Sequence, residues 1–216
     1  SESCSAIIDG GNGRKLYTSD ALEFEGDYFI REPYGESSYK VRTGYGAEIG
    51  TYSYVKAYGD RLLCFGNNKY YLYDRYANLL GEYDTKPKIS EYNGNMVLKN
   101  DDGTYACYDR DMNVLLTTKY DIQPIENGYC SFADNEKGKI GFLFADGKTA
   151  IEPKYDCVTE MTPDGYFVSK TISRSEITYD TTEINYTVTI EDKDGNAVIE
   201  KTQNVCDIAN SAFDSK

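Results

Sequence analysis

The chain has 216 residues, of which 40% are hydrophobic and 27% charged, a globular composition that suits one or two domains or a single large all-β unit. A net charge of −13 argues against a nucleic-acid surface, which rests on clustered Lys and Arg, and no apolar run approaches the roughly 20 residues that span a bilayer. The chain has no His, so the commonest general base and metal ligand is missing; it has no Trp either, while Tyr occurs 22 times.

In chain order, Ser1-Glu2-Ser3-Cys4 reads as a start from which an export segment has been removed. The alternating segment from Ala6 to Phe24 fits three short strands. The glycine cluster at Gly10, Gly11 and Gly13 lacks a Gly-Lys-Ser/Thr ending and reads as a loose turn rather than a phosphate cradle. A glycine then opens an apolar-alternating stretch, Gly26-Asp27-Tyr28-Phe29-Ile30. The same marker returns at Gly59, Gly94, Gly128 and Gly165, with spacings of 33, 35, 34 and 37. A second marker is Tyr73-Asp74-Arg75-Tyr76-Ala77-Asn78-Leu79-Leu80. It comes back as Tyr108-Asp109-Arg110-Asp111-Met112-Asn113-Val114-Leu115 and as Phe144-Ala145-Asp146-Gly147-Lys148-Thr149-Ala150-Ile151.

Each unit reads as four short strands: an aromatic one (69–73, 104–108, 139–144, 186–190), a short aliphatic one, a third, and the Gly-led fourth. Turns rich in Asp, Asn and Gly join them. The expectation is an all-β fold of about six four-stranded antiparallel units of about 35 residues in one domain, 1–216. The units lie near 5–31, 39–65, 69–99, 104–133, 138–170 and 184–213. Strands this short cannot bury an apolar face alone, so neighbouring units must stack. A propeller-like ring is favoured, because an open twisted stack would leave two exposed ends. The Ser/Thr-rich stretch after the last Gly-led strand predicts a protruding hairpin over 171–186, and 203–213 is the one stretch expected to hold a helical turn.

The string Gly138-Lys139-Ile140-Gly141-Phe142-Leu143-Phe144-Ala145-Asp146-Gly147-Lys148, continuing to Pro153-Lys154-Tyr155-Asp156 and Gly165-Tyr166-Phe167-Val168, resembles the WG-repeat (KWG-repeat) family. The neighbouring stretch 104–133 keeps Lys119-Tyr120-Asp121 and Gly128, while the other units keep spacing more than letters. Ile140 stands where that family has Trp, and Ala106 or Tyr71 where it has the partner Gly. The resemblance implies repeat architecture and a bacterial, exported protein, and brings no catalytic residues.

The six cysteines (Cys4, Cys64, Cys107, Cys130, Cys157, Cys206) contain no Cys-x-x-Cys pair. An even count suits disulfides in an exported protein, with Cys4 to Cys206 one option. The alternative is that Cys64, Cys107 and Cys130, inside strand-like segments, are buried small apolar residues. Asp192-Lys193-Asp194-Gly195-Asn196 with Glu200 hints at a Ca²⁺ loop, but the glycine and glutamate fall out of register, so a hairpin turn is the better reading. Nucleophile motifs are missing, and the Asp residues fall at turns. No enzyme, cofactor or metal is therefore expected. The tyrosines serve as strand formers or as binding surfaces; Tyr45, Tyr52, Tyr54, Tyr71, Tyr76 and Tyr179 are the binding candidates. The expected role is a non-enzymatic secreted or cell-surface protein making protein–protein or glycan contacts. A carbohydrate-active hydrolase using paired carboxylates is the alternative.

Overall fold

The computed structural model describes residues 5–8, 15–19, 22–178 and 181–208, with side chains described over 22–173 and 184–202. Every regular element among them is a strand. After a two-stranded ladder of β1 (Ser5–Ile8) and β2 (Lys15–Ser19) come five four-stranded antiparallel sheets, in each of which every strand lies beside its neighbour in sequence. Sheet I holds β3 (Glu23–Glu25), β4 (Phe29–Tyr34), β5 (Ser38–Thr43) and β6 (Glu48–Tyr52). Sheet II holds β7 (Tyr54–Tyr58), β8 (Arg61–Gly66), β9 (Lys69–Asp74) and β10 (Leu79–Tyr83). Sheet III holds β11 (Lys88–Ile89), β12 (Met96–Lys99), β13 (Tyr105–Tyr108) and β14 (Val114–Thr118). Sheet IV holds β15 (Asp121–Ile122), β16 (Tyr129–Asp134), β17 (Lys139–Phe144) and β18 (Thr149–Tyr155). Sheet V holds β19 (Cys157–Val158), β20 (Tyr166–Thr178), β21 (Thr181–Asp192) and β22 (Ala197–Ile208).

The repeat has the expected strand count but a different phase. Each sheet begins at the third strand of one sequence unit and ends at the second strand of the next. The cause is local: the Gly-led strand runs through a tight turn into the following aromatic strand and pairs with it, as Met96 does with Tyr108 and Lys99 with Tyr105. The five glycines that mark the period, Gly26, Gly59, Gly94, Gly128 and Gly165, all have φ between 61° and 85°, a left-handed conformation that side chains resist. The marker is thus a backbone requirement at the entrance to the second strand of each sheet.

The chain divides into two compact units, 1–94 and 95–216, each with its own core. In the first, Phe29 and Val41 of sheet I bury against Val55, Leu62 and Cys64 of sheet II. In the second, Val97, Cys107 and Leu116 of sheet III pack on Ile122, Cys130, Phe132 and Leu143 of sheet IV. The opposite face of sheet IV presents Phe142, Ile151 and Tyr155 to Met161, in the connection between β19 and β20, and to Phe167 of sheet V. Phe142 and Leu143 are consecutive and both about 1% exposed, so they point to opposite faces of one sheet and bury each against a different neighbour. Short sheets sharing cores is the stacking that their thinness demands.

Polar contacts repeat the same step. Asn95 Nδ2 donates to the Ile125 carbonyl and Asn127 Nδ2 to the Met161 carbonyl, each at 2.8 Å. In the first unit the Ala57 amide donates to Glu25 Oε1 at 3.0 Å. Gly141, the glycine of the Lys139-Ile140-Gly141 string, has a packing reason. Opposite it β18 bulges, with Ile140 facing Tyr155 but Phe142 facing Ile151, and a Cβ on Gly141 would lie 2.5 Å from the Ile151 carbonyl oxygen.

Two expectations are corrected. The stretch from Gln203 to Ile208 is strand rather than helix, because β22 pairs with β21 along its whole length; 209–213 lies outside the described residues. Among the described residues Cys64, Cys107, Cys130 and Cys157 are free thiols, and the first three fill apolar cores rather than pairing in disulfides; Cys4 and the side chain of Cys206 lie outside the described residues. The extra residues near 171–186 lengthen β20 to 13 residues and β21 to 12, and β22 extends to 12 as their third partner.

Candidate functional site

One turn recurs in every four-stranded sheet, between its third and fourth strands. It spans 43–47, 74–78, 109–113, 144–148 and 192–196. In each case the first amide donates to the fifth carbonyl and the fourth amide to the first carbonyl, as in Asp74 N to Asn78 O at 3.0 Å and Ala77 N to Asp74 O at 3.1 Å. The fourth residue is left-handed throughout: Gly46, Ala77, Met112, Gly147 and Gly195 have φ between 66° and 88°. This is the three-residue hairpin loop with a bulge.

Where the first residue is Asp, its carboxylate closes the turn. Asp74 Oδ1 accepts from the Tyr76 and Asn78 amides, and Oδ2 from Asn78 Nδ2, all at 2.8 Å; Asp109 and Asp192 repeat the arrangement. Burial by itself would raise the Asp74 carboxyl, but the Asn78 and Tyr76 donors outweigh it and hold it below its usual range. At Asp192 the Asn196 amide is the main cause of a lowered value. These oxygens are satisfied by the turn itself, which is why Asp192, Asp194 and Asn196 read as hairpin chemistry rather than cation ligands.

With the loop fixed, its third side chain is free to vary, and it is exposed in every copy: Tyr45, Tyr76, Asp111, Asp146 and Asp194. In the first unit this position brings two candidate residues together. Tyr45 is 65% exposed and Tyr76 58%, and their rings lie 6.5 Å apart with planes within 10° of parallel. Arg75, the second residue of its turn, holds Tyr76 in place. Its guanidinium carbon lies 4.8 Å from the Tyr76 ring centre and 5.4 Å from that of the half-buried Tyr28, and Nη2 donates to the Tyr76 hydroxyl at 2.6 Å. On the other side the Gly44 amide donates to the Tyr28 carbonyl at 2.6 Å, anchoring the Tyr45 turn to the same residue.

The other tyrosine candidates do not join this pair. Tyr52 and Tyr71 pack on the core between sheets I and II, their rings 5.7 Å apart, and Tyr52 shares a hydrogen bond with the Tyr73 hydroxyl. Burial, reinforced by Tyr73, pushes the Tyr52 hydroxyl far above its usual range. Tyr54 is half-buried, accepts from Lys86 Nζ at 3.1 Å and has that ammonium 4.5 Å from its ring centre. Tyr179 lies outside the described residues. Arg75 and Tyr28 were not among the candidates; aligning Asp74 to Asn78 with Asp109 to Asn113 would have shown that position 75 sits beside the variable one.

A second polar cluster lies in the other unit. Glu191, on β21, is 5% exposed; Tyr155 of β18 and Ser169 of β20 each donate a short hydrogen bond to it, and Lys154 Nζ lies 3.6 Å from Oε2. Burial first, then Glu191, raise the Tyr155 hydroxyl far above its usual range, so it serves as a donor. The cluster pins sheet IV to sheet V.

No protein-family model matches the chain, and no curated protein matches it significantly. The sheets and their recurring turns define it as an all-β repeat protein.

Proposed function

We propose that this is a non-enzymatic repeat protein of the WG-repeat type, exported or held at the cell surface, whose turns present side chains to a protein or glycan. The observation that carries this reading is the five-residue turn: its backbone hydrogen bonds are the same in all five sheets while its exposed third residue changes from Tyr to Asp. A rigid frame with a variable exposed position is how repeat scaffolds and loop-bearing folds make binding surfaces. The proposal includes a propeller-like ring of the sheets in preference to an open twisted stack, which solution scattering of the whole chain distinguishes. The carboxylates of Asp74, Asp109 and Asp192 are engaged by turn amides, which weighs against the hydrolase alternative.

The test is an array of glycans, cell-wall preparations and surface proteins probed with the whole chain, with release of reducing ends measured on the same polysaccharides. Retention without release is expected. Release would move the assignment to a hydrolase, and silence across the array would overturn the contact role.

A further inference from the structure

We propose that Tyr45 and Tyr76 form a stacking site for an uncharged oligosaccharide, a proposal that deepens the reading above and rests on it. Three features of the site point to this ligand class. The two rings come from the same position of equivalent turns in successive sheets, and their nearly parallel planes present their faces along one common direction. A pyranose ring has an apolar C–H face and a polar rim, so two exposed rings with nearly parallel planes and centres 6.5 Å apart offer an oligosaccharide apolar faces of matching orientation.

The backbone of the Tyr45 turn and the ring of Tyr76 are also fixed before any ligand arrives. Tyr45 rides on a turn whose Thr43, 1% exposed, closes it by accepting the Ala47 amide at 3.2 Å, and Tyr76 is held by the Arg75 guanidinium. Tyrosine has few rotatable bonds, so the two rings lose little freedom on binding.

Size and charge then choose among occupants. Two aromatic side chains cover at most roughly 300–500 Å², less than the roughly 800 Å² per partner of a stable protein interface but ample for a short glycan. A chain with a charge of −13 repels an anionic polymer, and the Arg75 Nη2 group is engaged by the Tyr76 hydroxyl.

The experiment is affinity electrophoresis of the whole chain in native gels containing a neutral β-glucan, xylan, mannan or α-glucan, with polygalacturonate as the anionic control. Slowing by at least one neutral polymer is expected, weakened about tenfold in Tyr45→Ala and in Tyr76→Ala, a loss typical of an anchor aromatic. Tyr45→Phe should bind as the parent does, because stacking needs the ring and not the hydroxyl. Thermal melts of the alanine variants should match the parent, since both rings are largely exposed. Slowing by polygalacturonate alone, no slowing in any gel, or equal slowing of parent and alanine variants would each overturn the proposal. If every gel is silent while the array retains the chain on surface proteins, only this site falls; if both are silent, the wider reading falls with it.

Discussion

Glu191 offers the sharpest test of whether neighbouring sheets hold each other up. Its carboxylate sits between Tyr155 of sheet IV and Ser169 of sheet V, 5% exposed, accepting from both hydroxyls, with Lys154 at 3.6 Å. Tyr155→Phe keeps the ring against Phe167 and removes one donor to a charged group, a loss of roughly 1.5–3 kcal/mol. Glu191→Ala leaves two buried hydroxyls without an acceptor, at roughly 1–3 kcal/mol each, partly offset because a costly buried charge also goes; about 4 kcal/mol is expected. In the double variant the Tyr155 hydroxyl is no longer stranded, so the two losses should fall short of additive by about 2 kcal/mol. The assay is equilibrium urea unfolding followed by tyrosine fluorescence, read on the transition belonging to 95–216. A coupling below about 0.5 kcal/mol would refute the view that this network ties the two sheets together.

Glycine positions give an ordered pair of expectations. At Gly195, with φ of 77°, an added Cβ meets nothing closer than 3.6 Å, so Gly195→Ala should cost only the left-handed strain, about 1 kcal/mol, measured by thermal melting. At Gly147 the same strain is joined by a 2.9 Å approach to Leu116 Cδ1 in the core, and the loss should be clearly larger. Gly141→Ala drives a Cβ into the Ile151 carbonyl and should cost about 3 kcal/mol or more, visible as a fall in urea midpoint; a neutral result would show that β18 can move away. Alkaline pH should also destabilise the chain. Burial raises the Cys64, Cys107 and Cys130 thiols, the last to about 12, so above pH 9 the unfolded chain loses protons that the folded one keeps. Stability should be intact below pH 9 and fall above it by up to about 1.4 kcal/mol per pH unit per thiol, with a shallower slope in Cys130→Ala over pH 8–10.5.

The period was legible because it is a backbone requirement. Gly26, Gly59, Gly94, Gly128 and Gly165 recur where φ must be positive, and the Asp at 74, 109 and 192 recurs where turn amides need an acceptor. Phase was not legible, because a cyclic pattern of four strands has no first member until hydrogen bonding groups them. The lost helix has a related cause: a polar stretch such as Gln203 to Asp207 shows no strand alternation, yet a partner strand already laid down can pair it residue by residue. Among the tyrosines, strand propensity is shared by core and surface rings alike, so Tyr52 and Tyr45 look equivalent until their places are known. Tyr52 ends β6 against the next sheet, whereas Tyr45 occupies a loop position that makes no backbone ladder.

That contrast explains why the proposed binding residues lie at the turns. Inside the sheets the buried positions are constrained twice, by their ladder and by a neighbouring sheet, as Phe142 and Leu143 show by burying on opposite faces. The third turn residue escapes both constraints: the two backbone hydrogen bonds shared by all the loops use the first, fourth and fifth residues, and the third side chain is exposed. Substitution there is nearly free energetically, which is why one unit carries Tyr45 and Tyr76 and the other Asp111, Asp146 and Asp194 on the same loop. Exchanging Tyr45 and Tyr76 together for Asp should therefore leave the unfolding midpoint within about 0.5 kcal/mol of the parent, as for an ordinary surface substitution, while abolishing polysaccharide retention. A large loss of stability would mean that the rings are packing elements, and the binding role would have to move elsewhere on the chain.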